Sequence, residues 1–266
     1  MITGGASGFG LALGERCAAS GMTVALLDLD GDRAQSEAER LGSNHGVEAL
    51  GLHVDVGDEK SVDRTASAVA ARFGRADLVI SNVGVQLFGG LESFTDDEWR
   101  WVLDINVIGS ARVARLFLPL LRRSAAGRLA FTTSSSVLDP ASRLGAYQAS
   151  KFAVWGLAET LRLEIGHEGI TVSIILPSGM MSRHLETSEA AQPPHLRRPV
   201  AGEEDLRAMM DSNPGMAAMV ATPEQAAAGV LEAVLAGERY VITHGDLVGA
   251  IESRCSDLRR AAEAAR

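Results

Sequence analysis

The chain has few of the residues that mark several classes of protein. Only two cysteines occur among its 266 residues, Cys17 and Cys255, and their wide separation fits neither a disulfide framework nor a metal-binding motif. Basic residues are outnumbered, and the net charge of -9 gives little electrostatic support to nucleic-acid or anionic-membrane binding. No apolar run is long enough to span a bilayer. The first residues do not show the basic segment followed by an apolar segment that is typical of a secretory signal peptide. We therefore expect a cytoplasmic protein with no nucleic-acid, membrane or metal partner.

Short apolar segments alternate with longer amphipathic ones, which predicts an α/β fold with a doubly wound parallel sheet and helices on both faces. No linker or repeat divides the chain, so residues 1–266 are expected to form a single domain. A long helix is predicted from Thr95 to Arg122, with Thr95 as N-cap and Glu98 three residues later. Strands are predicted at Met22 to Asp28, Glu48 to Val54, Leu78 to Ser81, Arg128 to Ser134, Ile170 to Leu176 and Arg239 to Thr243.

Glycines are concentrated at the start of the chain, in TGGASGFG at residues 3–10. Gly4, Gly8 and Gly10 leave the backbone open to a pyrophosphate, and a helix beginning near Gly8 directs free N–H groups at that anion. Taken alone, such a turn also fits a flexible linker. The next predicted strand ends in Asp28, about twenty residues downstream, where a carboxylate accepts hydrogen bonds from an adenosine ribose. Together these features predict a dinucleotide site.

Asp28 also bears on which dinucleotide binds, because a carboxylate at this point repels the additional phosphate of NADP. Leu29 and Asp30 follow it, and the nearest cation, Arg33, is interpreted as a solvated residue of the next helix. We therefore expect NAD as the cofactor.

The first strand is expected to be short, since only Met1 and Ile2 precede the glycines. A truncated inner strand leaves backbone N–H and C=O groups of the neighbouring strands without hydrogen-bond partners. We therefore expect a start site placed too far downstream, or a trimmed numbering.

Tyr147 and Lys151 are four residues apart in a segment, residues 144–166, whose apolar positions recur with helical spacing. Positions four apart share a helix face, so the ammonium is expected to stabilise a phenolate and lower a pKa whose reference value is about 10. Tyr147 is thus a candidate general acid or base. Chance placement on a solvated face explains the pair equally well when it is taken alone. Ser134, thirteen residues earlier at a Ser/Thr-rich strand end, favours the chemical interpretation.

With the glycine segment, these residues resemble the short-chain dehydrogenases and reductases over nearly the whole chain. The resemblance implies a Rossmann-like NAD-binding oxidoreductase domain that forms a homodimer or homotetramer through the helices carrying Asn106 and Tyr147. Further matches are Asp55-Val56, similar to the family's adenine-contacting step; Asn82-Val83-Gly84, similar to its Asn-Ala-Gly turn; Asn106, which resembles an asparagine that holds a proton-relay water; and Pro177, similar to its Pro-Gly step near the nicotinamide.

The resemblance also implies roles. Tyr147 takes the proton of a substrate hydroxyl, Lys151 lowers the pKa of Tyr147 and holds the nicotinamide ribose, and Ser134 donates to the substrate oxygen. The predicted catalytic set is Asn106, Ser134, Tyr147 and Lys151. The predicted cofactor site consists of Gly4, Ser7, Gly8, Phe9, Gly10, Asp28, Leu29, Asp55, Val56, Asn82, Val83, Gly84, Tyr147, Lys151, Pro177, Ser178, Met180 and Ser182.

Some positions depart from the family pattern. Ser178 stands where the family has glycine, Ser182 where a threonine often meets the nicotinamide amide, and Val83 where the family has alanine. Ser135 and Ser136 are neighbours of Ser134, and only the spacing to Tyr147 selects Ser134.

Residues 180–221 are rich in methionine and proline with little regular pattern, which predicts a substrate lid. The methionines either line a pocket for a bulky apolar alcohol or pack the lid onto the body; they are Met180, Met181, Met209, Met210, Met216 and Met219. Further apolar wall is predicted from Val85, Leu87, Phe88, Val137, Leu138 and Leu144. His184, Arg183 and Arg143 either contact a polar group of the substrate or are solvated. Residues 245–266 predict a charged helix that closes the pocket, forms a subunit contact or covers the sheet edge.

Two classes of function therefore fit the sequence. The first is an NAD-dependent oxidoreductase that transfers a hydride between the nicotinamide and a bulky, apolar secondary alcohol or ketone. The second is a non-catalytic dinucleotide-binding or sensing protein, since the same fold supports binding alone. An epimerase or dehydratase with a retained cofactor is a third variant. The complete set of Ser134, Tyr147 and Lys151 favours the oxidoreductase.

Overall fold

The computed structural model describes residues 1–215 and 220–265, and its strands form one parallel sheet. The strands are Ile2–Thr3 (β1), Val24–Asp28 (β2), Ala49–His53 (β3), Leu78–Ser81 (β4), Arg128–Thr132 (β5), Thr171–Leu176 (β6) and Tyr240–Ile242 (β7). The α-helices are Gly8–Ala19 (α1), Gly31–His45 (α2), Glu59–Phe73 (α3), Asp96–Leu103 (α4), Gly109–Leu121 (α5), Gly145–Ile165 (α6), His184–Ala190 (α7), Glu203–Ser212 (α8), Pro223–Ala226 (α9), Val230–Ala236 (α10) and Val248–Ala264 (α11). The predicted α/β class and the predicted strands are confirmed, with strand ends that differ by at most two residues.

The strand order is β3-β2-β1-β4-β5-β6-β7, so the chain runs outward in one direction from β1 and then in the other from β4. Ile2 of β1 lies opposite both Leu26 of β2 and Ile80 of β4. In open parallel sheets, ligands bind outside the carboxyl ends of the strands at such a reversal. The crevice expected from the sequence therefore lies beyond the ends of β1 and β4.

Helices cover both faces of the sheet. Successive residues of a strand point to opposite faces, so each strand contributes apolar side chains to both. Leu27 and Phe131 belong to one buried cluster, which includes apolar residues of α3, α5 and α6. Leu26 and Ala130 belong to the other, with residues of α1, α2 and α10. Each fully buried leucine or phenylalanine contributes about 1.5–3 kcal/mol, so the two clusters fix the strand ends relative to one another.

Side-chain caps define several helix starts. The Asp30 carboxylate accepts from the Arg33 N–H at 3.0 Å at the start of α2. At α4, Thr95 and Glu98 form the reciprocal capping box that the sequence predicts. This cap sets where α4 enters the wall of the crevice.

The long helix predicted from Thr95 to Arg122 is interrupted by a π-helical turn, Asp104–Ile108, which separates α4 from α5. Such a turn inserts a residue into the helical ladder and shifts the faces on either side of it. The predicted helical bounds are confirmed, since the helical segments run without a break from Asp96 to Leu121, but apolar periodicity does not reveal an insertion of this kind within them.

The predicted lid contains more regular structure than expected, because α7 and α8 lie within it. α8 begins after Gly202 with Glu203, Glu204 and Asp205, whose negative charges favour a helix N-terminus. A third apolar cluster, which includes Phe88, Trp101 and Val200, packs this segment against the body. Met216 and Met219 lie outside the described residues.

The two ends of the described chain agree with the predictions made from the sequence. β1 is short, as expected, and the Met1 ammonium donates to the Leu78 carbonyl oxygen at 2.8 Å. α11 is the predicted charged helix, and Arg254 on it donates to the Val137 carbonyl oxygen and lies 5.5 Å from the centre of the Phe152 ring. Within the described residues, we find no helix with the length and apolar character needed to cross a bilayer.

Candidate active site

One cavity of about 710 Å³ lies at the carboxyl ends of the strands, a size typical of ligand pockets. It is lined by every residue of the predicted cofactor site and by Ser134, Tyr147 and Lys151. Asn106 is the member of the predicted set that lies behind the wall. The structure therefore brings into one crevice residues that are up to 178 positions apart between Gly4 and Ser182.

The glycine loop forms the turn between β1 and α1. Gly4 and Gly8 have φ values of +64° and +52°, which only glycine adopts without strain. A Cβ on Gly10 would lie 2.0 Å from the Gly4 carbonyl oxygen, so the turn closes only with glycine at this position. The N-cap of α1, Ser7, makes no side-chain capping bond and the first turn of α1 has no acidic residue. The N–H groups of α1 are thus available to an anion, which fits a pyrophosphate.

Asp28 connects the end of β2 to this loop. Its carboxylate accepts from the Ala6 N–H at 3.0 Å and from the Asp30 N–H at 3.1 Å. Leu29 beside it is 50% exposed. The carboxylate is fixed at the rim of the cavity, where it fits a ribose hydroxyl donor. Asp55 is held in a similar way, since it accepts from the Gly57 N–H at 2.8 Å.

Asn82 joins the end of β4 to the glycine loop. Its amide donates to the Thr3 carbonyl oxygen at 3.1 Å, and its backbone N–H donates to the Thr3 hydroxyl at 3.0 Å. Two residues later the chain passes Lys151 so closely that a Cβ on Gly84 would lie 2.8 Å from the Lys151 Nζ. Because Gly84 has no side chain, the Lys151 ammonium can occupy this position next to the backbone.

Ser134, Tyr147 and Lys151 meet where β5 and α6 face each other. Tyr147 and Lys151 are one turn apart on α6, and the Lys151 Nζ lies 5.6 Å from the centre of the Tyr147 ring. The ammonium donates to the Thr132 carbonyl oxygen at 3.1 Å. The Ser134 hydroxyl is hydrogen-bonded to the Tyr147 phenol. The spacing argument that selected Ser134 thus agrees with the geometry.

The pKa of Tyr147 differs from the prediction. Burial raises the pKa of the phenol above its reference value of 10.0, and the hydrogen bond to Ser134 opposes this only in part. Burial also lowers the pKa of Lys151 from 10.5 to about 8. The net pKa shift of the phenol is therefore opposite in direction to the one expected, because desolvation dominates at both groups, and the role of Lys151 toward Tyr147 stays a prediction.

Asn106 lies in the π-helical turn and is 1% exposed. Its Oδ1 accepts from the Val85 N–H at 2.7 Å, and its Nδ2 donates to the Val85 carbonyl oxygen and to the Ser150 Oγ, both at 2.8 Å. The side chain thus fastens the loop after β4 to α6, next to the residue that precedes Lys151. Its role toward a relay water stays a prediction.

The loop after β6 closes the cavity above the glycine loop. The Pro177 carbonyl oxygen accepts from the Ser135 N–H at 2.8 Å, and the Ser178 hydroxyl donates to the His244 carbonyl oxygen at 3.0 Å. A Cβ on Gly8 would lie 3.7 Å from the Ser182 Cβ, so the two loops face each other across the cavity. Serine at 178 and 182 is thus accommodated within the same crevice.

Beyond Tyr147 the cavity wall is largely apolar. Val85, Phe88 and Leu144 line it as predicted, whereas Leu87, Val137 and Leu138 lie behind the lining. Met180 and Met209 also line it, while Met181 and Met210 are 62% and 48% exposed. Sequence reasoning missed further lining residues: Gln86, Trp101, Leu185, Thr187, Ala191, Pro193 and Leu206.

The three polar lid candidates differ in their surroundings. Arg183 pairs with Glu186 at 2.7 Å, and Arg143 lies 3.7 Å from Asp205 and does not line the cavity. His184 lines the cavity, and its ring lies edge-on to the Tyr147 ring with 6.4 Å between centroids. Of the three, His184 is the one beside the predicted proton donor.

Known proteins match the part of the chain that carries the candidate catalytic and cofactor residues. A family model described as short chain dehydrogenase matches residues 1–193. D-threitol dehydrogenase of Mycolicibacterium smegmatis is 31% identical over 182 residues, covering 68% of this chain and 70% of that protein. Levodione reductase of Leifsonia aquatica is 31% identical over 205 residues, covering 76% and 77%. A solved short chain dehydrogenase/reductase from Burkholderia phymatum in complex with NAD is 28% identical, with a TM-score of 0.87 and coverage of 98% and 93%.

Proposed function

The chain belongs to the short-chain dehydrogenase family, and we propose that this oxidoreductase of alcohols and ketones prefers NAD and acts on a bulky secondary alcohol or its ketone. The observation that carries the proposal is the meeting of Ser134, Tyr147 and Lys151 at the inner end of the cavity. A protein that only binds a dinucleotide could use Lys151 to hold the ribose, but it has no need of a buried phenol that is hydrogen-bonded to Ser134 beside that lysine.

The proposed proton chemistry is centred on Tyr147. Its phenol gives a proton to the substrate oxygen in ketone reduction and takes it back in alcohol oxidation. Ser134 donates a hydrogen bond to the same oxygen as negative charge develops there, a contribution of about 3–4 kcal/mol in comparable sites. Lys151, with a pKa of about 8, is mostly protonated at pH 7 and supplies the positive charge beside the phenol.

The residues that would hold the cofactor fit a dinucleotide. The loop from Gly4 to Gly10 and the N-terminus of α1 fit the pyrophosphate, Asp28 fits the adenosine ribose, and Lys151 fits the nicotinamide ribose. When bound, NAD supplies the hydride acceptor, and the protein supplies orientation and electrostatics. The Asp28 carboxylate and the apolar Leu29 beside it support NAD over NADP, because neither favours a phosphate.

The first test is Tyr147→Phe. A panel of secondary alcohols, from small aliphatics to steroids and aryl carbinols, is offered with NAD, and NADH absorbance is followed. We expect Tyr147→Phe to lower kcat by about 100-fold to 10,000-fold with nearly unchanged NAD binding, since it removes the proton carrier alone. Tyr240→Phe is the matched control, because Tyr240 is 41% exposed on β7 and bonds to Glu159. Retained turnover in Tyr147→Phe excludes the assigned role.

The same panel separates the alternatives. Release of NADH during turnover distinguishes a dehydrogenase from an epimerase or dehydratase, which retains its cofactor. NAD binding without turnover of any alcohol supports the sensing protein instead.

Cofactor preference is tested by the double substitution Asp28→Ala and Leu29→Arg. We expect the ratio of kcat/KM for NAD over NADP to fall at least about tenfold, because the repelling carboxylate is replaced by a cation. The dissociation constants of both dinucleotides are measured by calorimetry in the same variants. An unchanged ratio contradicts the assignment of Asp28 to the ribose.

Assembly into a dimer or tetramer and a cytoplasmic location stay predictions. The exposed apolar side chains Ile108, Phe152 and Leu163 on the helical segments that carry Asn106 and Tyr147 support the proposed assembly. Sedimentation velocity measures it directly.

A further inference from the structure

His184 is the feature of the substrate end that the proposed chemistry does not use. It is the first residue of α7 and lines the cavity beside Tyr147. The two rings lie edge-on, with centroids 6.4 Å apart and an interplanar angle of 62°. A side chain at this distance lies where the part of a substrate next to its reacting carbon must pass.

Two polar side chains next to His184 on the same segment already have partners. The Arg183 guanidinium bonds to Glu186 at 2.7 Å. The Thr187 hydroxyl donates to the Arg183 carbonyl oxygen at 3.0 Å. Across residues 1–215 and 220–265, the His184 imidazole makes no hydrogen bond, and the same holds for the Gln86 amide on the opposite loop. Of these two groups, His184 is the one in contact with the predicted acid.

The imidazole lies in largely apolar surroundings, with Leu144, Leu206 and Met209 on the same cavity wall. A polar group without a protein partner in such surroundings is free to hydrogen-bond a ligand oxygen. Burial and the nearby Lys151 lower the pKa of His184 to about 4, so the ring is neutral at physiological pH. A neutral imidazole offers one donor and one acceptor, which suits a hydroxyl or a carbonyl group rather than a carboxylate.

We propose that His184 determines substrate specificity by hydrogen-bonding a second oxygen, a hydroxyl or carbonyl on the carbon next to the reacting one. The substrates of the cavity are then vicinal diols, hydroxyketones or diketones on an otherwise apolar frame. Tyr147 and Ser134 bind the reacting oxygen, and His184 binds its neighbour, so the substrate is held at two points. This inference rests on the proposed oxidoreductase function and specifies its substrate class.

The test compares cyclohexanol with cis-cyclohexane-1,2-diol, which differ in the second oxygen alone. Both are assayed with NAD in the wild type, His184→Leu, His184→Gln and His195→Leu. His195 is an exposed histidine of the same segment that does not line the cavity, so it controls for loss of a histidine. We expect His184→Leu to lower kcat/KM for the diol about tenfold or more and for cyclohexanol less than about twofold. Glutamine, which also donates and accepts, should restore most of the activity on the diol.

A binding measurement removes turnover from the comparison. In the Tyr147→Phe background with NAD present, His184→Leu should raise the Kd of the diol by a similar factor and leave that of cyclohexanol unchanged. Equal losses for both compounds mean that His184 only packs against Tyr147, and this overturns the inference while the proposed function stands. A wild type that oxidises no alcohol of the wider panel overturns the proposed function and this inference with it.

Discussion

Replacement of Gly84 by alanine should disable the site while leaving the fold intact. The new Cβ would lie 2.8 Å from the Lys151 Nζ, whereas an unstrained contact needs about 3.5 Å. The ammonium must therefore withdraw by about 0.7 Å. It is the far end of a flexible side chain, so it can move at little cost to stability, but it then leaves the Thr132 carbonyl oxygen, now at 3.1 Å, and its place near the Tyr147 ring.

A displacement of this size at a reacting group costs about 100-fold in rate, which corresponds to about 2.7 kcal/mol. We expect kcat of Gly84→Ala to fall by that factor, with a melting temperature within about 2 °C of the wild type. Initial rates of NADH formation measure kcat, and thermal unfolding followed by circular dichroism measures the melting temperature.

Two other glycines provide the comparison. Gly156 in α6 is exposed with nothing within 4 Å of an added Cβ, so Gly156→Ala should keep full activity and stabilise the protein by up to about 1 kcal/mol. Gly10→Ala places a Cβ 2.0 Å from the Gly4 carbonyl oxygen, where only backbone can yield, and should destabilise by about 3 kcal/mol or more. An unchanged kcat in Gly84→Ala would falsify the reasoning about Lys151. A melting temperature as low as that of Gly10→Ala would show that the backbone, rather than the ammonium, gives way.

Two further predictions concern charge. Burial lowers the pKa of Lys151 from 10.5 to about 8, so the unfolded chain binds more protons between those values and the free energy of unfolding rises across that pH window. Lys151→Met should remove this rise, stabilise the dinucleotide-free protein at pH 7 by at most about 3 kcal/mol, and abolish activity. Urea unfolding at pH 7, 9 and 10 measures the free energy of unfolding of both proteins. An unchanged dependence of that free energy on pH contradicts the prediction. Arg198 pairs with Glu98, whose side chain is 7% exposed, and donates to the Phe88 carbonyl oxygen. Arg198→Met should lower stability by about 1–3 kcal/mol and no more, because Thr95 still donates to the Glu98 carboxylate. It should also raise KM with little change in kcat. Substitution of the exposed Arg197 by methionine is the control, and an equal effect in both variants counts against the pairing of Arg198 with Glu98.

The residues proposed to hold the cofactor could be picked out because their signals are local in sequence. Gly10 follows from the tight approach of the backbone at a strand-to-helix turn, and Asp28 from its place at the end of the next strand. Tyr147 and Lys151 follow from helical spacing. Such positions depend on the periodicity of one element, and a parallel sheet gathers the ends of its strands at one edge.

The features that escaped prediction depend on packing between distant segments. The neighbours of His184 are set by how residues 180–215 fold over α4 and α6, and no local pattern specifies that. The π-helical turn at Asn106 changes which residues face the cavity without changing the apolar periodicity around it. The pKa of Tyr147 moved upward rather than downward because burial is a property of the assembled fold.

That upward pKa shift also bears on how the site handles its proton. Desolvation raises the pKa of the phenol and lowers that of the ammonium, so Lys151 is the stronger acid of the two in the structure. In the proposed mechanism, reprotonation of Tyr147 by Lys151 after ketone reduction would therefore run downhill, while formation of the phenolate for alcohol oxidation would run uphill. Ser150, the residue before Lys151, is hydrogen-bonded to Asn106, which also bonds Val85 in the loop that carries Gly84, so this part of α6 is fastened to that loop. The arrangement keeps the phenol protonated at neutral pH, and positive charge or hydrogen-bond donors added near the phenol would oppose that preference.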